Sequence, residues 1–241
     1  MATPSVRSMS LRRRAERLLH RIVLCLILIG FMARTVGAEA PQPCRKHNNS
    51  EGKIALTFDD GPHKAYTEEI LDILNEYGIK ATFFVVGSNV ERHPEIVKRA
   101  LAEGHEIGNH TYSHPHLTNI EGDELYREML ETERILMELT DFRPKLFRPP
   151  EGVYSQTVSS TLERMDYIPI LWTVDTIDWK RPKAEAIAKT VMDHTEPGVI
   201  ILCHDFVSGK SNTPAALRIF LPKLLEQGYQ FVTVSELLMS E

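Results

Sequence analysis

The ten residues 53–62, K-I-A-L-T-F-D-D-G-P, constrain this chain more than any other stretch of its sequence. Large and small side chains alternate from residue 54 to residue 58, which predicts a buried β-strand. The strand ends in two adjacent carboxylates, Asp59 and Asp60, and a Gly-Pro turn follows them. Two like charges that lose hydration repel each other, and such a pair is tolerated where a cation or an arginine neutralises it. We therefore predict that this strand delivers a carboxylate pair to a positively charged partner.

Strand-like and helix-like segments alternate about seven times between residues 53 and 238. This alternation predicts an α/β fold with parallel strands inside and helices outside. An incomplete (β/α) barrel and a doubly wound sheet both fit the pattern, and polar residues after many of the strands favour the barrel. One of the predicted strands is unbroken over residues 168–174. No glycine-rich phosphate-binding motif occurs, so nucleotide chemistry is not indicated.

The N-terminal segment has the composition of an export signal. Arginines precede an apolar run over residues 22–33, and small residues follow at 37–40. This is the order of a signal peptide with its cleavage site, and the apolar run is short for a membrane span. We expect residues 1–38 to be a signal peptide or an N-terminal membrane anchor, residues 39–52 a linker and residues 53–238 a single catalytic domain. The expected location is secreted or extracytoplasmic.

The charge of the chain limits its partners. Residues 1–38 hold seven arginines and one glutamate, so without them the formal net charge changes from −5 to −11. An acidic protein is a poor ligand for nucleic acid or for an anionic membrane. Outside the N-terminal segment only Cys44 and Cys203 remain, so a metal site would use histidine and carboxylate ligands. The sequence indicates no protein partner, and we expect a monomer.

Residues able to do chemistry follow successive predicted strands. They are Asp59, Asp60, His110, His114, Arg148, Asp175, Asp178 and His204. In a parallel barrel all these positions meet at one rim. The i, i+4 spacing of the two histidines would place both imidazoles on one side of a helical turn. Two histidines and one aspartate make a three-ligand metal site with an open position for water.

Five short motifs resemble those of the polysaccharide deacetylases, carbohydrate esterase family 4. They are T-F-D-D-G at 57–61, H-T-Y-S-H at 110–114, R-P-P-E-G at 148–152, D-T-I-D-W at 175–179 and I-L-C-H at 201–204. The resemblance covers about residues 53–238 and keeps the order of the motifs. It implies a distorted, incomplete (β/α)7 barrel that removes N-acetyl groups from a polysaccharide with a divalent metal ion. Zinc is the expected ion, with cobalt or nickel as alternatives.

The resemblance also implies a role for each residue around the metal. Asp60, His110 and His114 would bind the ion. Asp59 would be the base that takes a proton from water, and Arg148 would hold Asp59 ionised and oriented.

On the opposite side of the site, His204 would protonate the leaving amine, and Asp178 would orient His204. Substrate contacts are implied for Pro150, Glu151, Gly152, Trp179 and Leu202. Glu151 departs from the tyrosine that is usual at its position, so it bears on sugar preference. Trp179 fits equally well as a wall of the substrate pocket and as a residue packed in the core.

The expected substrate is a polysaccharide with N-acetylglucosamine or N-acetylmuramic acid units, of the peptidoglycan or chitin type. An O-acetyl esterase acting on xylan would use the same machinery. Hydrolysis of small cyclic amides on a related barrel is disfavoured by the export signal and the five intact motifs. A non-catalytic glycan-binding domain would show the loss of a base, an acid or a ligand, and none is lost.

Overall fold

The computed structural model describes residues 41–48 and 51–239. The predicted signal peptide or anchor at 1–38 therefore lies outside the described residues. Among the residues that are described, no helix combines the length and the hydropathy needed to cross a membrane.

The described chain alternates strands and helices as predicted. The strands are β1 (Lys53–Asp59), β2 (Thr82–Val85), β3 (Glu106–Asn109), β4 (Leu146–Phe147), β5 (Ile168–Pro169), β6 (Val174–Asp175), β7 (Ile200–His204) and β8 (Gln230–Val232). The helices are α1 (Tyr66–Glu76), α2 (Gly87–Arg92), α3 (Pro94–Ala102), α4 (Gly122–Thr140), α5 (Gln156–Met165), α6 (Ala184–His194), α7 (Thr213–Glu226) and α8 (Val234–Leu238). Two short 3-10 turns follow β4 and β6, at Pro150–Gly152 and Asp178–Lys180.

The strands form one sheet, in the order β5-β4-β3-β2-β1-β7-β6, with β8 paired to β1. Every strand pair is parallel. The sheet curls into a half-barrel that stays open between β5 and β6, and this confirms the incomplete (β/α) barrel. β1 lies at its centre and pairs with β2, β7 and β8. The carboxylates at the end of β1 therefore lie among the ends of several strands.

The helices cover the sheet and bury their apolar faces in the core. In α1, four aliphatic side chains between residues 70 and 74 are completely buried at the predicted helical spacing. Burying a side chain of this size contributes about 1.5–3 kcal/mol. Helix α5 begins at the predicted cap, since the Ser155 hydroxyl accepts a hydrogen bond from the Val158 N–H group at 3.3 Å.

The prediction of one unbroken strand over residues 168–174 is wrong. β5 pairs with β4 at one end of the sheet, whereas β6 pairs with β7 at the other end. Between them, Ile170 forms a bridge with Cys44, and the Thr173 N–H group donates to the Ile200 carbonyl at 3.1 Å. An apolar run predicts burial, but it does not show that the two halves have different partners. This segment carries the chain across the open side of the half-barrel.

Part of the stretch predicted as a linker, residues 39–52, packs on the domain. Besides the bridge of Cys44, Lys46 forms a bridge with Val199 and an ion pair with Glu196. These contacts place residues 44–46 beside β5 and β7.

Candidate active site

The carboxyl ends of the strands deliver the predicted site residues to one pocket of about 380 Å³. The pocket is lined by Asp59, Asp60, His110, His114, Glu151, Trp172, Asp175, Trp179, Leu202 and His204. Arg148 and Asp178 lie behind this lining and are buried. Pro150 and Gly152, which were predicted to contact substrate, do not line the pocket.

Asp60, His110 and His114 converge on one point. The Oδ1 atom of Asp60 lies 3.4 Å from Nε2 of His110 and 3.3 Å from Nε2 of His114. This oxygen is buried and has no hydrogen-bond partner among the described residues. His110 Nδ1 donates to the Arg148 carbonyl at 2.6 Å, which leaves the Nε2 lone pair for a cation. The three side chains therefore fit a divalent metal ion.

The histidine motif is a loop, and the predicted helical turn is wrong. Thr111 and His114 have left-handed backbone conformations, with φ of 67° and 56°. The loop is fixed by α4, where the Glu128 carboxylate accepts hydrogen bonds from two of its backbone N–H groups at 2.8 and 3.0 Å. The rings of His110 and His114 still face the same point, with centroids 5.1 Å apart.

Asp59 and Arg148 form a buried ion pair at the back of the pocket. The Arg148 Nη1 atom donates to Asp59 Oδ1 at 2.7 Å and to the Thr57 hydroxyl at 2.7 Å. The guanidinium also lies 4.1 Å from the centre of the Phe84 ring. Arg148 has no exposed surface, so water does not solvate its positive charge. The negative charge of Asp59 neutralises it instead. The pair leaves Asp59 Oδ2 facing the cluster of Asp60, His110 and His114, 3.9 Å from His110 Nε2.

His204 and Asp178 form a second pair across the pocket, in which Asp178 is buried and His204 is partly buried. His204 Nδ1 donates to Asp178 Oδ1 at 2.6 Å, and the His204 backbone N–H group donates to Oδ2 at 2.8 Å. The Thr213 hydroxyl also donates to Oδ2, at 2.6 Å. Burial lowers the pKa of His204, but its bond to Asp178 and the charges of Asp178, Asp59 and Asp60 outweigh this and raise the pKa to about 9. The imidazole is therefore cationic at neutral pH.

Two tryptophans shape the outer pocket. Trp179 is 52% exposed and lines the pocket, which rules out the alternative of simple core packing. Trp172, which the sequence analysis missed, lies against Gly152: a Cβ atom there would be 2.7 Å from Trp172 Cη2. Glu151 adopts φ 57° and pairs at 2.9 Å with His116 Nδ1. The W-T-V-D run that leads into the fourth motif was the available signal for Trp172.

Fold and pocket together are those of a barrel-type hydrolase, with three side chains that fit a metal ion between the Asp59–Arg148 pair and the His204–Asp178 pair. Residues 46–170 match the polysaccharide deacetylase family. A peptidoglycan-N-acetylglucosamine deacetylase of Bacillus cereus is 43% identical over 192 residues, which are 79% of this chain and 90% of that protein. The chain belongs to the polysaccharide deacetylase family.

Solved structures agree with this assignment. A peptidoglycan N-acetylglucosamine deacetylase in complex with a substituted N-oxidanyl-benzamide superposes with a TM-score of 0.77 and 39% identity, over 80% of this chain and 91% of that one. A family 4 acetyl xylan esterase from Clostridium thermocellum, in complex with a cobalt ion, gives a TM-score of 0.73 and 36% identity, over 77% and 89%.

Proposed function

We propose that this chain removes N-acetyl groups from the N-acetylglucosamine units of peptidoglycan, releasing acetate and leaving a free amine. The observation that carries the proposal is one pocket in which three side chains suited to a metal ion lie between the buried Asp59–Arg148 pair and the His204–Asp178 pair. The relative from Bacillus cereus, which is named for this reaction, supports the choice of polymer.

We propose zinc as the ion held by Asp60, His110 and His114, because two histidines and a carboxylate suit it, with cobalt or nickel as alternatives. When bound, such an ion supplies a Lewis acid for the acetyl carbonyl and lowers the pKa of water.

Asp59 and His204 would move the two protons of the reaction. Asp59 is adjacent to the ligand Asp60, and its Oδ2 atom is free to accept a proton from the attacking water. His204 is held through Nδ1 by Asp178, which leaves the Nε2–H group to protonate the leaving nitrogen. The C–N bond then breaks without release of an unstable amide anion.

The walls of the pocket would hold the sugar and its acetyl group. Leu202 and Trp179 give an apolar wall for the methyl group and the sugar ring. The half-exposed Glu151 carboxylate replaces the usual tyrosine at the same rim, and it would disfavour an anionic sugar there. We therefore favour N-acetylglucosamine over N-acetylmuramic acid, which carries a carboxylate.

An acetylxylan esterase is the second candidate, supported by the structural likeness to the Clostridium thermocellum enzyme. The two candidate activities are distinguished by measuring acetate release from peptidoglycan, chitooligosaccharides and acetylxylan side by side, with and without a chelator. We expect peptidoglycan to be the preferred substrate, with free amine appearing in step with acetate. Preference for acetylxylan, with no amine formed from the other two polymers, would contradict the proposal.

We also propose that the protein acts outside the cytoplasm. The basic segment, apolar run and small residues of positions 1–40 support export with cleavage after residue 38 or 40. N-terminal sequencing of protein from the native host should then begin at residue 39 or 41. Membrane-bound protein that begins at residue 1 or 2 would instead indicate an anchor.

Replacing Asp178 by asparagine should move the basic limb of the kcat/KM pH profile to lower pH. His204 must be protonated to act as the acid, and the Asp178 carboxylate helps to raise its pKa. Without that charge the pKa of His204 falls, so the acid form is lost earlier as the pH rises. Thr213→Val is the matched control, since it removes a hydrogen bond to Asp178 but keeps the carboxylate, and it should move the limb much less. An unchanged limb in Asp178→Asn would show that His204 is not the acid.

A further inference from the structure

Asp205 is a buried carboxylate that has no role in the chemistry described above. It directly follows His204 and is 1% exposed. Its Oδ1 atom accepts the Gly61 N–H group at 2.9 Å, and its Oδ2 atom accepts the Thr67 hydroxyl at 2.7 Å. Within the described part of the chain, no lysine, arginine or histidine forms an ion pair with it. Burial, helped by the charge of Asp60, raises the pKa of Asp205 to about 7, and the hydrogen bonds from Thr67 and Gly61 act in the opposite direction by stabilising the carboxylate.

Those contacts hold the peptide that follows the metal-binding aspartate. The peptide between Asp60 and Gly61 has its N–H group bound by Asp205 and its carbonyl bound by Asn89 Nδ2, at 2.8 Å. Two side chains, from β7's end and from α2, therefore fix this peptide from both sides. The peptide needs such support, because Asp60 has φ 77°, a conformation that costs a non-glycine residue about 1–3 kcal/mol.

Asp205 leaves no room for a side chain at position 61, which is a glycine. A Cβ atom built on Gly61 would lie 2.0 Å from Asp205 Oδ2 and 2.4 Å from Oδ1. The φ of Gly61 is not in the left-handed region, so it is the close approach of the carboxylate that requires glycine here. The turn after β1 is thus built around the Asp205 side chain.

We propose that Asp205 is a positioning residue for the metal site. Together with Asn89 it fixes the Asp60–Gly61 peptide and so holds Asp60 Oδ1 at the point where His110 and His114 also converge. The inference deepens the proposed function and rests on its metal site. A ligand that is displaced by a fraction of an ångström binds its ion less tightly. Removing a residue that orients a metal ligand therefore usually weakens metal binding.

The test is titration of metal-free protein with Co²⁺, reading both the affinity and the visible absorption spectrum of the bound ion. Asp205→Ala and Asn89→Ala should each weaken Co²⁺ binding by about 10–100-fold and change the spectrum. Asp205→Asn keeps an oxygen that accepts the Gly61 N–H group, so it should bind within a few-fold of the wild type and keep the spectrum.

Glu106→Ala is the control for a general loss of stability. Glu106 is a partly buried carboxylate that accepts hydrogen bonds from Thr82 and Ser235 at the start of β3, the opposite end of the strand from the site. This variant should unfold at a lower temperature while keeping the wild-type Co²⁺ affinity and spectrum.

The inference is overturned if folded Asp205→Ala binds Co²⁺ with the wild-type affinity and spectrum, or if Glu106→Ala weakens binding equally. If Asp205→Ala does not fold, Asn89→Ala and Asp205→Asn decide: wild-type binding in Asn89→Ala, or a 10–100-fold loss in Asp205→Asn, would overturn it. Acetate release by the wild type is a separate readout. A wild type that binds Co²⁺ and releases no acetate would contradict the proposed function and leave this test intact.

Discussion

Replacing Asp60 by alanine should remove the bound metal and the acetate-releasing activity together. The variant loses the carboxylate oxygen on which His110 and His114 converge, and two imidazoles remain. Loss of a residue that merely orients a ligand already costs about 10–100-fold in metal affinity, so loss of the ligand itself should cost at least about 100-fold. Metal content after dialysis, measured beside kcat, checks both expectations.

The matched control for this variant is Asp72→Ala. Asp72 is an exposed carboxylate that pairs with Arg99 on the surface. Its removal should leave metal content and kcat unchanged, because a surface ion pair contributes little and lies away from the pocket. Folding of both variants is checked by circular dichroism. An Asp60→Ala protein that is folded, metal-loaded and active would contradict the assignment of Asp60 as a ligand.

Replacing Asp59 by asparagine should have a different result, although the two aspartates are adjacent. The carboxamide can still accept the hydrogen bond from Arg148, but it cannot take a proton from water. We expect the metal to remain and kcat to fall by about 10²–10⁴-fold, the usual contribution of a positioned acid or base. Because the proton moves only on the way to the transition state, the substrate dissociation constant should change little.

The same substitution should also destabilise the protein. Arg148 is fully buried, and Asp59→Asn leaves its charge without a counterion. Breaking a buried pair in this way costs about 3–5 kcal/mol, which denaturant unfolding would detect. For metal content and kcat, the comparison variant is His204→Ala, which should also lose kcat and keep the metal. If Asp59→Asn loses the metal while Asp60→Ala keeps it, the two roles are reversed.

Much of the site could be predicted because the functional side chains of a parallel α/β fold follow the carboxyl ends of its strands. Asp59, His110, Arg148 and His204 each end or follow a predicted strand; the structure places three of them in the lining of one pocket and Arg148 directly behind it. The alternation of strands and helices predicted a parallel sheet covered by helices, and the polar residues after the strands favoured the incomplete barrel over a doubly wound sheet. For these features the local pattern was sufficient.

Other features depend on contacts between distant parts of the chain. The segment 168–174 changes partners halfway, which its apolar composition does not reveal. The histidine loop brings both imidazole rings to one point, as a helical turn would. It does so through residues with left-handed backbone conformations, in a loop that Glu128 fixes. The contact of Asp205 with Gly61 joins residues 144 positions apart, and no spacing rule connects them.

Metal-dependent acetate release from peptidoglycan by the wild-type protein tests the central claim most directly. Metal-free protein, prepared with a chelator, is incubated with N-acetylated peptidoglycan before and after addition of stoichiometric Zn²⁺, and acetate and free amine are measured. The pocket described here predicts no release without metal, and equal amounts of acetate and amine once Zn²⁺ is added. Full release by the metal-free protein, or no release with any divalent ion, would contradict it.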